Sequence, residues 1–415
     1  MSEKGNNKNA YEVLIERGLI QQCTDEELLK QKLENEQVTF YVGFDPTGPS
    51  LHAGHLVPLF AMAHLYKAGH KAIALVGGGT ARIGDPSGKT EMRKMLGIED
   101  IKKNALSIKG QIERFISFAD ERGIMVDNAD WLSGLNYIEF LRDIGRHFSV
   151  NRMLSFETYK KRLETGLSFL EFNYQLLQSY DFLELYRKYG CRLQIGGDDQ
   201  WGNIVAGKDL IRRVEGADVI GLTFPLVARA DGKKMGKTEK GALFLDADII
   251  SPYEFFQYWR NVPDADVGKF LKTFTFLSIE EINELESLKD KEINRAKEKL
   301  AYELTAIIHG NDEADKALDA AKAAFLQSGS DDSAIPSVEI SGNELDEGIN
   351  VADLFSRTDL CTSKGEARRL IKQGGAVVNG DKIQDINKTV DKGDVKDGMI
   401  MLRAGKKRYF KVLVE

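Results

Sequence analysis

His52 and His55 stand three residues apart in Ser50-Leu51-His52-Ala53-Gly54-His55. That spacing puts both imidazoles on one face of a helical first turn, with Ser50 as the expected cap. Free backbone N–H groups and the helix dipole at such a turn favour an anion, and Gly54 lets a ligand come close to the backbone. The competing readings are a helix start with incidental histidines, or a metal pair, for which no third ligand lies nearby. Far along the chain, Asp231-Gly232-Lys233-Lys234-Met235-Gly236-Lys237-Thr238 sets three lysines on a glycine-rich loop. Their ammonium groups would neutralise a polyphosphate; a lysine loop by itself is usually a solvated surface.

The run Gly77-Gly78-Gly79-Thr80 is followed by Ile83-Gly84-Asp85-Pro86-Ser87-Gly88-Lys89. It has the make-up of a phosphate loop without the Walker spacing. A tight turn is the alternative, and Asp85 at a strand end could hold an ammonium group. Tyr174, Gln178 and Asp181 fall at i, i+4 and i+7 of a helix expected over 172–189, so they form one stripe. Buried polar groups must be hydrogen-bonded, and the other faces of this helix are apolar too. The stripe therefore lines either a small polar pocket or a solvent face. In Gln194-Ile195-Gly196-Gly197-Asp198-Asp199-Gln200-Trp201-Gly202-Asn203 paired glycines bare the backbone, and a carboxylate there suits ribose hydroxyls; a plain turn fits the same residues. The sequence offers no nucleophile–base–orienter triad.

These residues need elements to bring them together. The runs VTFYVGFD (38–45), KAIALVGGGT (71–80), RLQIGG (192–197) and VIGLTFP (219–225) are short and apolar. Apolar strands followed by a glycine turn and a helix suggest a parallel sheet buried on both faces. Ligands of such sheets sit beyond the carboxyl ends of the strands, where the polar residues above lie. The expected fold class is α/β over residues 1–250. Helix-rich sequence follows over 251–327, with Ile282, Leu285, Leu288, Ile293 and Leu300 at helical spacing. Residues 327–350 hold six acids and no bases, too polar to repay their ordering entropy. An acidic linker is therefore expected at 328–349, ahead of a C-terminal domain at 350–415.

Of 415 residues, 42% are hydrophobic and 29% charged, with a net charge of −7, which excludes a disordered chain. The last 65 residues, 351–415, hold 14 Lys/Arg against 9 Asp/Glu, a net of +5, so the other 350 carry −12. A basic module on an acidic body fits a polyanionic partner, or simply a solvated surface. No apolar run reaches the ~18 residues of a membrane helix, and MSEKGNNKNA lacks the apolar core of a secretion signal. Cys23, Cys191 and Cys361 are not at metal-site spacing and fit a reducing cytoplasm.

Taken in order, the His-x-Gly-His motif and the lysine loop resemble the paired signatures of class I aminoacyl-tRNA synthetases. YVGFDPTGPSLHAGH, IGDPSGK, FNYQLLQSYDF and QIGGDDQWGN resemble bacterial tyrosyl-tRNA synthetases in particular, and VADLFSRTDLCTSKGEARRLIKQGGAVVNGDKI (351–383) resembles a small RNA-binding domain. The resemblance runs over nearly the whole chain. It implies a Rossmann-like catalytic domain, an α-helical domain and a small α+β RNA-binding domain. It implies a ligase that joins tyrosine to ATP and then to tRNA(Tyr), with magnesium on the phosphates, no dedicated metal site and no tightly bound cofactor. It assigns Tyr41 and Asp181 to the phenol hydroxyl, Asp85, Tyr174 and Gln178 to the α-ammonium group, and Gln200 to the carboxylate. Gly43, Asp45, His55, Gly197 and Asp199 would meet the ribose and α-phosphate, with Leu226 and Val227 flanking adenine. Thr47 and His52 would meet the departing pyrophosphate, joined by Lys89, Arg93, Lys234, Lys237 and Thr238. Arg212, Arg213, Lys364, Arg368 and Arg369 are candidate tRNA contacts, Arg212 and Arg213 being equally a surface pair. A homodimer through residues 120–165 is implied, where Trp131, Leu132, Phe140 and Phe148 are apolar candidates that could equally be core. Two departures stand out: Gly236 replaces the commoner serine of the lysine loop, which should loosen it, and Val42 replaces a cysteine found in some members. A tryptophanyl-tRNA synthetase and a non-catalytic RNA-binding descendant of a synthetase remain the alternatives.

Overall fold

The structure, a computed structural model, describes residues 9–87, 96–227, 230, 235–238, 241–326, 335–346, 348–396, 398–405 and 408–414. Strands β1 (Gln22–Cys23), β2 (Thr39–Phe44), β3 (Lys71–Val76), β4 (Gly123–Asp127), β5 (Leu193–Gly197) and β6 (Ile220–Phe224) form one sheet in the order β1-β6-β5-β2-β3-β4. β2 to β6 run parallel, and β1 pairs antiparallel with β6 at the edge. The β3 residues Ala72 to Val76 are all buried, as a parallel sheet covered on both faces requires. Tyr41 is in register with Ile73 on one side and Gln194 on the other. β4 is not among the expected runs: it ends in Asp127-Asn128 rather than glycine.

Helix Phe169–Tyr189 begins three residues before its expected start. Ser168 and Glu171 form a reciprocal capping box there, and left-handed Gly190 closes the other end, the favoured chemistry of both termini. Its start is also pinned by a buried ion pair, Arg162–Glu171 at 2.9 Å. Trp131 and Phe140 are buried in a core cluster with Tyr41, Ile73 and Phe182, while Leu132 and Phe148 pack against it from partly buried positions. Of these candidates for an interface, Trp131 and Phe140 are therefore core residues.

The chain divides into two compact units, 1–249 with 263–296, and 250–262 with 297–415. The helical stretch 251–327 thus contributes to both. In the first unit, the buried Arg17 guanidinium donates to the carbonyls of Lys272, Thr275 and Leu277, closing the end of helix Val267–Phe274. In the second, helix Pro252–Arg260 packs on Asn311–Leu326, and the C-terminal residues build a five-stranded sheet. Much of the expected linker belongs to that sheet's domain. Ser337–Ile340 pairs parallel with Arg408–Val414, and Ile340 and Leu345 enter its core. The acids of 337–346 mask this pattern: Ile340 and Leu345 reach the core while Glu339 and Glu344 stay exposed, so few apolar side chains suffice. Residues 327–334 lie outside the described residues. No helix among the described residues is long and apolar enough to cross a membrane.

Candidate active site

The carboxyl ends of β2, β3, β5 and β6 open into a cavity of about 590 Å³. β2 and the turn after it supply Tyr41, Gly43, Asp45, Thr47, His52 and His55; the loop after β3 supplies Asp85. The polar stripe Tyr174, Gln178 and Asp181 faces the cavity, as do Gly197, Asp199 and Gln200 after β5 and Leu226 and Val227 after β6. Lys89, Arg93 and Lys234 lie outside the described residues. Lys237–Thr238 forms a short strand with Gly241–Ala242.

One end of the cavity is built to hold a hydroxyl. The Asp181 carboxylate is buried and accepts the Trp131 indole N–H at 2.8 Å and the Asn128 amide at 2.9 Å, one on each oxygen. Asn128 is itself fixed, donating to Thr80 Oγ1 at 3.0 Å and accepting from the Gly79 N–H at 2.8 Å. Burial pushes the Asp181 carboxyl up to about 8, against the pull of the two donors and helped by Asp45 and Asp127. Tyr41, 1% exposed, has a buried hydroxyl with no partner among the described residues. Burial, and then Asp181, raises its pKa well above the usual phenol value. A buried hydroxyl left unpaired costs about 1–3 kcal/mol, a penalty that a bound hydroxyl would remove.

The next part of the cavity is acidic. Asp45 accepts the Tyr174 hydroxyl at 3.0 Å and the Thr80 hydroxyl at 2.8 Å. Asp85 accepts the Gln200 amide at 2.7 Å, and Asn203 donates to both Gln178 and Gln200 at 3.1 Å. Burial, and then Asp85, raises the Asp199 pKa. Three carboxyl groups in this part of the cavity, Asp45, Asp85 and Asp199, suit a cation and hydroxyl donors. The glycine run 77–79 serves them. A Cβ at Gly77 would strike Asp45, and one at Gly78 would strike Asp127. Its absence makes room for carboxylates rather than for phosphate.

At the mouth, the two histidines cap each other. His52 Nδ1 accepts the Gly54 N–H, and His55 Nδ1 accepts the His52 N–H, both at 3.1 Å. The cap is therefore His52 and not Ser50, whose hydroxyl turns back to the Leu51 carbonyl at 2.6 Å. With Nδ1 accepting, each neutral ring carries its proton on Nε2, an N–H suited to an anion. The lysine loop reaches this turn through the backbone. Ala53 N–H donates to the Leu243 carbonyl, and Leu243 N–H donates to the Gly236 carbonyl. Gly236 has φ 73°, and a Cβ there would lie 2.8 Å from that of Ala53. Glycine at 236 thus meets a steric demand, a positive φ and a close approach, beyond any looseness it lends the loop.

Arg212 and Arg213 do not line the cavity. Arg212 is exposed beside Asp209, and Arg213 donates to the His147 carbonyl. Lys364 pairs with Asp353 at 2.8 Å, and Arg368 and Arg369 are exposed on helix Lys364–Lys372.

Comparison with known proteins gives the arrangement its place. Residues 33–326 match the family "tRNA synthetases class I (W and Y)", and residues 327–412 match the "Tyrosine--tRNA ligase SYY-like C-terminal domain". A tyrosine–tRNA ligase of Treponema denticola is 60% identical over 97% of this chain and 99% of its own. The chain belongs to the tyrosyl-tRNA synthetase family. A second ligase of that family, from Acetivibrio thermocellus, is 57% identical over 97% of this chain and 99% of its own. The crystal structure of a C-terminally truncated mitochondrial tyrosyl-tRNA synthetase of Aspergillus nidulans is 34% identical, covering 76% of this chain and 94% of its own with a TM-score of 0.67.

Within this tyrosyl-tRNA synthetase fold, sequence reasoning misses Asn128 as a cavity residue, gives no role to Thr80 and Gln194 although they stand in its candidate runs, and takes Trp131 for an apolar residue only. The available signal for Asn128 is a polar pair, Asp127-Asn128, directly after a strand. For Trp131 it is an indole N–H on a residue that must be buried.

Proposed function

We propose that this protein is a tyrosine–tRNA ligase. The observation that carries the reading is the unpaired, buried Tyr41 hydroxyl beside an Asp181 already held on both oxygens. Together they form an acceptor and a donor for one phenol. Asp85, Tyr174 and Gln178 hold the α-ammonium group, and Gln200 sits near the carboxylate. Gly43, Asp45, His55, Gly197 and Asp199 meet the ribose and α-phosphate, and Leu226 and Val227 flank the adenine. Magnesium enters with the ATP phosphates as part of the substrate.

In the first step the tyrosine carboxylate attacks the α-phosphorus and the bond to pyrophosphate breaks. The nucleophile is already ionised at neutral pH, so no general base is needed. Positioning and charge stabilisation carry the rate. Thr47 and the Nε2–H of His52 receive the leaving pyrophosphate, with Lys89, Arg93, Lys234, Lys237 and Thr238 supplying further donors. In the second step a ribose hydroxyl at the tRNA 3′ end attacks the tyrosyl carbonyl and AMP leaves. Lys364, Arg368 and Arg369 contact the tRNA, and Arg212 and Arg213 lie toward its acceptor end. A second copy of the chain covers the exposed Tyr137, Ile138, Val150 and Phe169, making a homodimer.

ATP–pyrophosphate exchange with tyrosine, tryptophan and phenylalanine side by side tests the reading. Tyrosine should support exchange. Phenylalanine would leave the Tyr41 hydroxyl unpaired and deny Asp181 the phenol donor beyond Trp131 and Asn128, which costs about 2.5–6 kcal/mol, on the order of a hundredfold or more. Tryptophan lacks a group that both accepts and donates at that depth. Exchange supported best by tryptophan would replace the proposal with the tryptophan enzyme, and no exchange with any would favour a non-catalytic RNA-binding protein.

The raised pKa of Asp181 adds a pH dependence. In the empty site the carboxyl is mostly protonated below about 8, whereas the phenol O–H needs an ionised acceptor. Binding must then release a proton at pH 7, and affinity should rise with pH up to about 8. Tyrosine titrations are expected to tighten by about fiftyfold between pH 6 and 8, as the ionised fraction of Asp181 rises from about 1% to about half. A flat profile would mean that Asp181 is already ionised at pH 6.

A further inference from the structure

The segment 46–52 carries Thr47 and His52 and lies in no named strand or helix; at its far end His52 forms an isolated antiparallel bridge with Phe244, and the Leu51 carbonyl accepts the Leu245 N–H at 2.9 Å. Both ends of the segment are also held by side chains of one helix, Ile98–Ile112. Asn104, 8% exposed, donates its side-chain amide to the Pro46 carbonyl at 3.0 Å. Gln111 accepts the Leu51 N–H at 2.9 Å and donates to Ser50 Oγ at 3.0 Å. Asn104 and Gln111 are seven residues apart and so share a face of the helix. Ile101, Ile108 and Ile112 are buried in the core on the same helix, which fixes its position. The same helix begins directly after the stretch that bears Lys89 and Arg93.

We propose that Asn104 and Gln111 are positioning residues for the pyrophosphate-forming step. Two amides hold the backbone on either side of Thr47, and the only strand-like contact of the segment among the described residues lies at its far end, at Leu51 and His52. Neither amide lines the cavity, so they act through the segment and not on substrate. The inference rests on the proposed contact of Thr47 and His52 with pyrophosphate. It predicts which half of the reaction depends on the helix. Adenylate formation and its reversal by pyrophosphate need the segment in place; transfer to tRNA does not, because pyrophosphate has left by then.

The test uses the full-length protein, normalised by tyrosyl-adenylate active-site titration and checked by thermal unfolding. Asn104→Ala and Gln111→Leu should each slow adenylate formation by about ten- to a hundredfold, the range a misplacement near 1 Å produces. KM for tyrosine should stay within twofold, and transfer from pre-formed adenylate to tRNA should be unchanged. Gln111→Glu keeps an acceptor for Leu51 N–H and for the Ser50 hydroxyl, so it should regain most of the rate. Equal losses in both half-reactions, or a matching rise in KM for tyrosine, would reveal general loosening and overturn the inference. Normal adenylate formation in both variants, with Thr47→Ala slow, would overturn it while leaving the proposed function standing. If Thr47→Ala is also silent, the phosphate role of the segment fails first and the inference falls with it.

Discussion

Asp181→Ala is expected to lower kcat/KM for tyrosine in ATP–pyrophosphate exchange by about 10³- to 10⁴-fold. The removed group is the ionised acceptor of the phenol O–H, and a hydrogen bond to a charged group contributes about 1.5–3 kcal/mol. The truncation also strips partners from the Asn128 amide and the Trp131 indole, each now facing a gap in a buried site. Leaving such donors unpaired costs a further ~1–3 kcal/mol. The sum, roughly 2.5–6 kcal/mol, brackets the stated loss at 1.36 kcal/mol per tenfold. The fold should survive. Asn128 remains anchored by Thr80 and Gly79, and Asp181 sits on a 21-residue helix capped at both ends. Asp181→Asn separates charge from shape. It keeps the volume but must present an amide N–H to either Asn128 or Trp131, so it should also fail. Near-normal tyrosine dependence of exchange in either variant would remove Asp181 from the phenol site and take the amino-acid assignment with it.

Much of this site is visible in the sequence because period and position are physical. The stripe at 174, 178 and 181 follows from 3.6 residues per turn on a helix otherwise apolar, and the structure turns it to the cavity. Four parallel strands follow from apolar runs that end in glycine or proline. What escapes is whatever depends on long-range partners. Nothing local says that Trp131 will aim its N–H at residue 181, fifty positions away, or that Gly77 and Gly78 make room for Asp45 and Asp127 instead of cradling phosphate. Local polar competition hides the cap as well. Ser50 has the right chemistry, but its hydroxyl finds the next carbonyl and Gln111, and the histidines cap themselves. The acidic stretch 337–346 misleads for a different reason. Its few apolar residues suffice because a neighbouring strand, Arg408–Val414, supplies the rest of the surface.

Removal of everything after residue 330 is expected to leave adenylate formation within a fewfold of the full chain and to lower tRNA charging by at least about a hundredfold. The first half follows from where the cavity residues lie: all of them precede residue 236. The C-terminal domain also keeps its own core, built from residues 338–414 alone, so its loss exposes no apolar surface shared with that cluster. The second half follows from charge. Residues 351–415 carry a net +5 on a chain of −7, and taking away the cations that neutralise phosphates weakens binding in a salt-dependent way. Single-turnover charging measured across salt concentrations separates the contributions. The full chain should lose affinity steeply with salt, and the fragment should start weak with a shallower slope. A fragment that charges tRNA at the full rate and with the same slope would place the nucleic-acid contacts on the acidic body, and the basic helix Lys364–Lys372 would then be a solvated surface like any other.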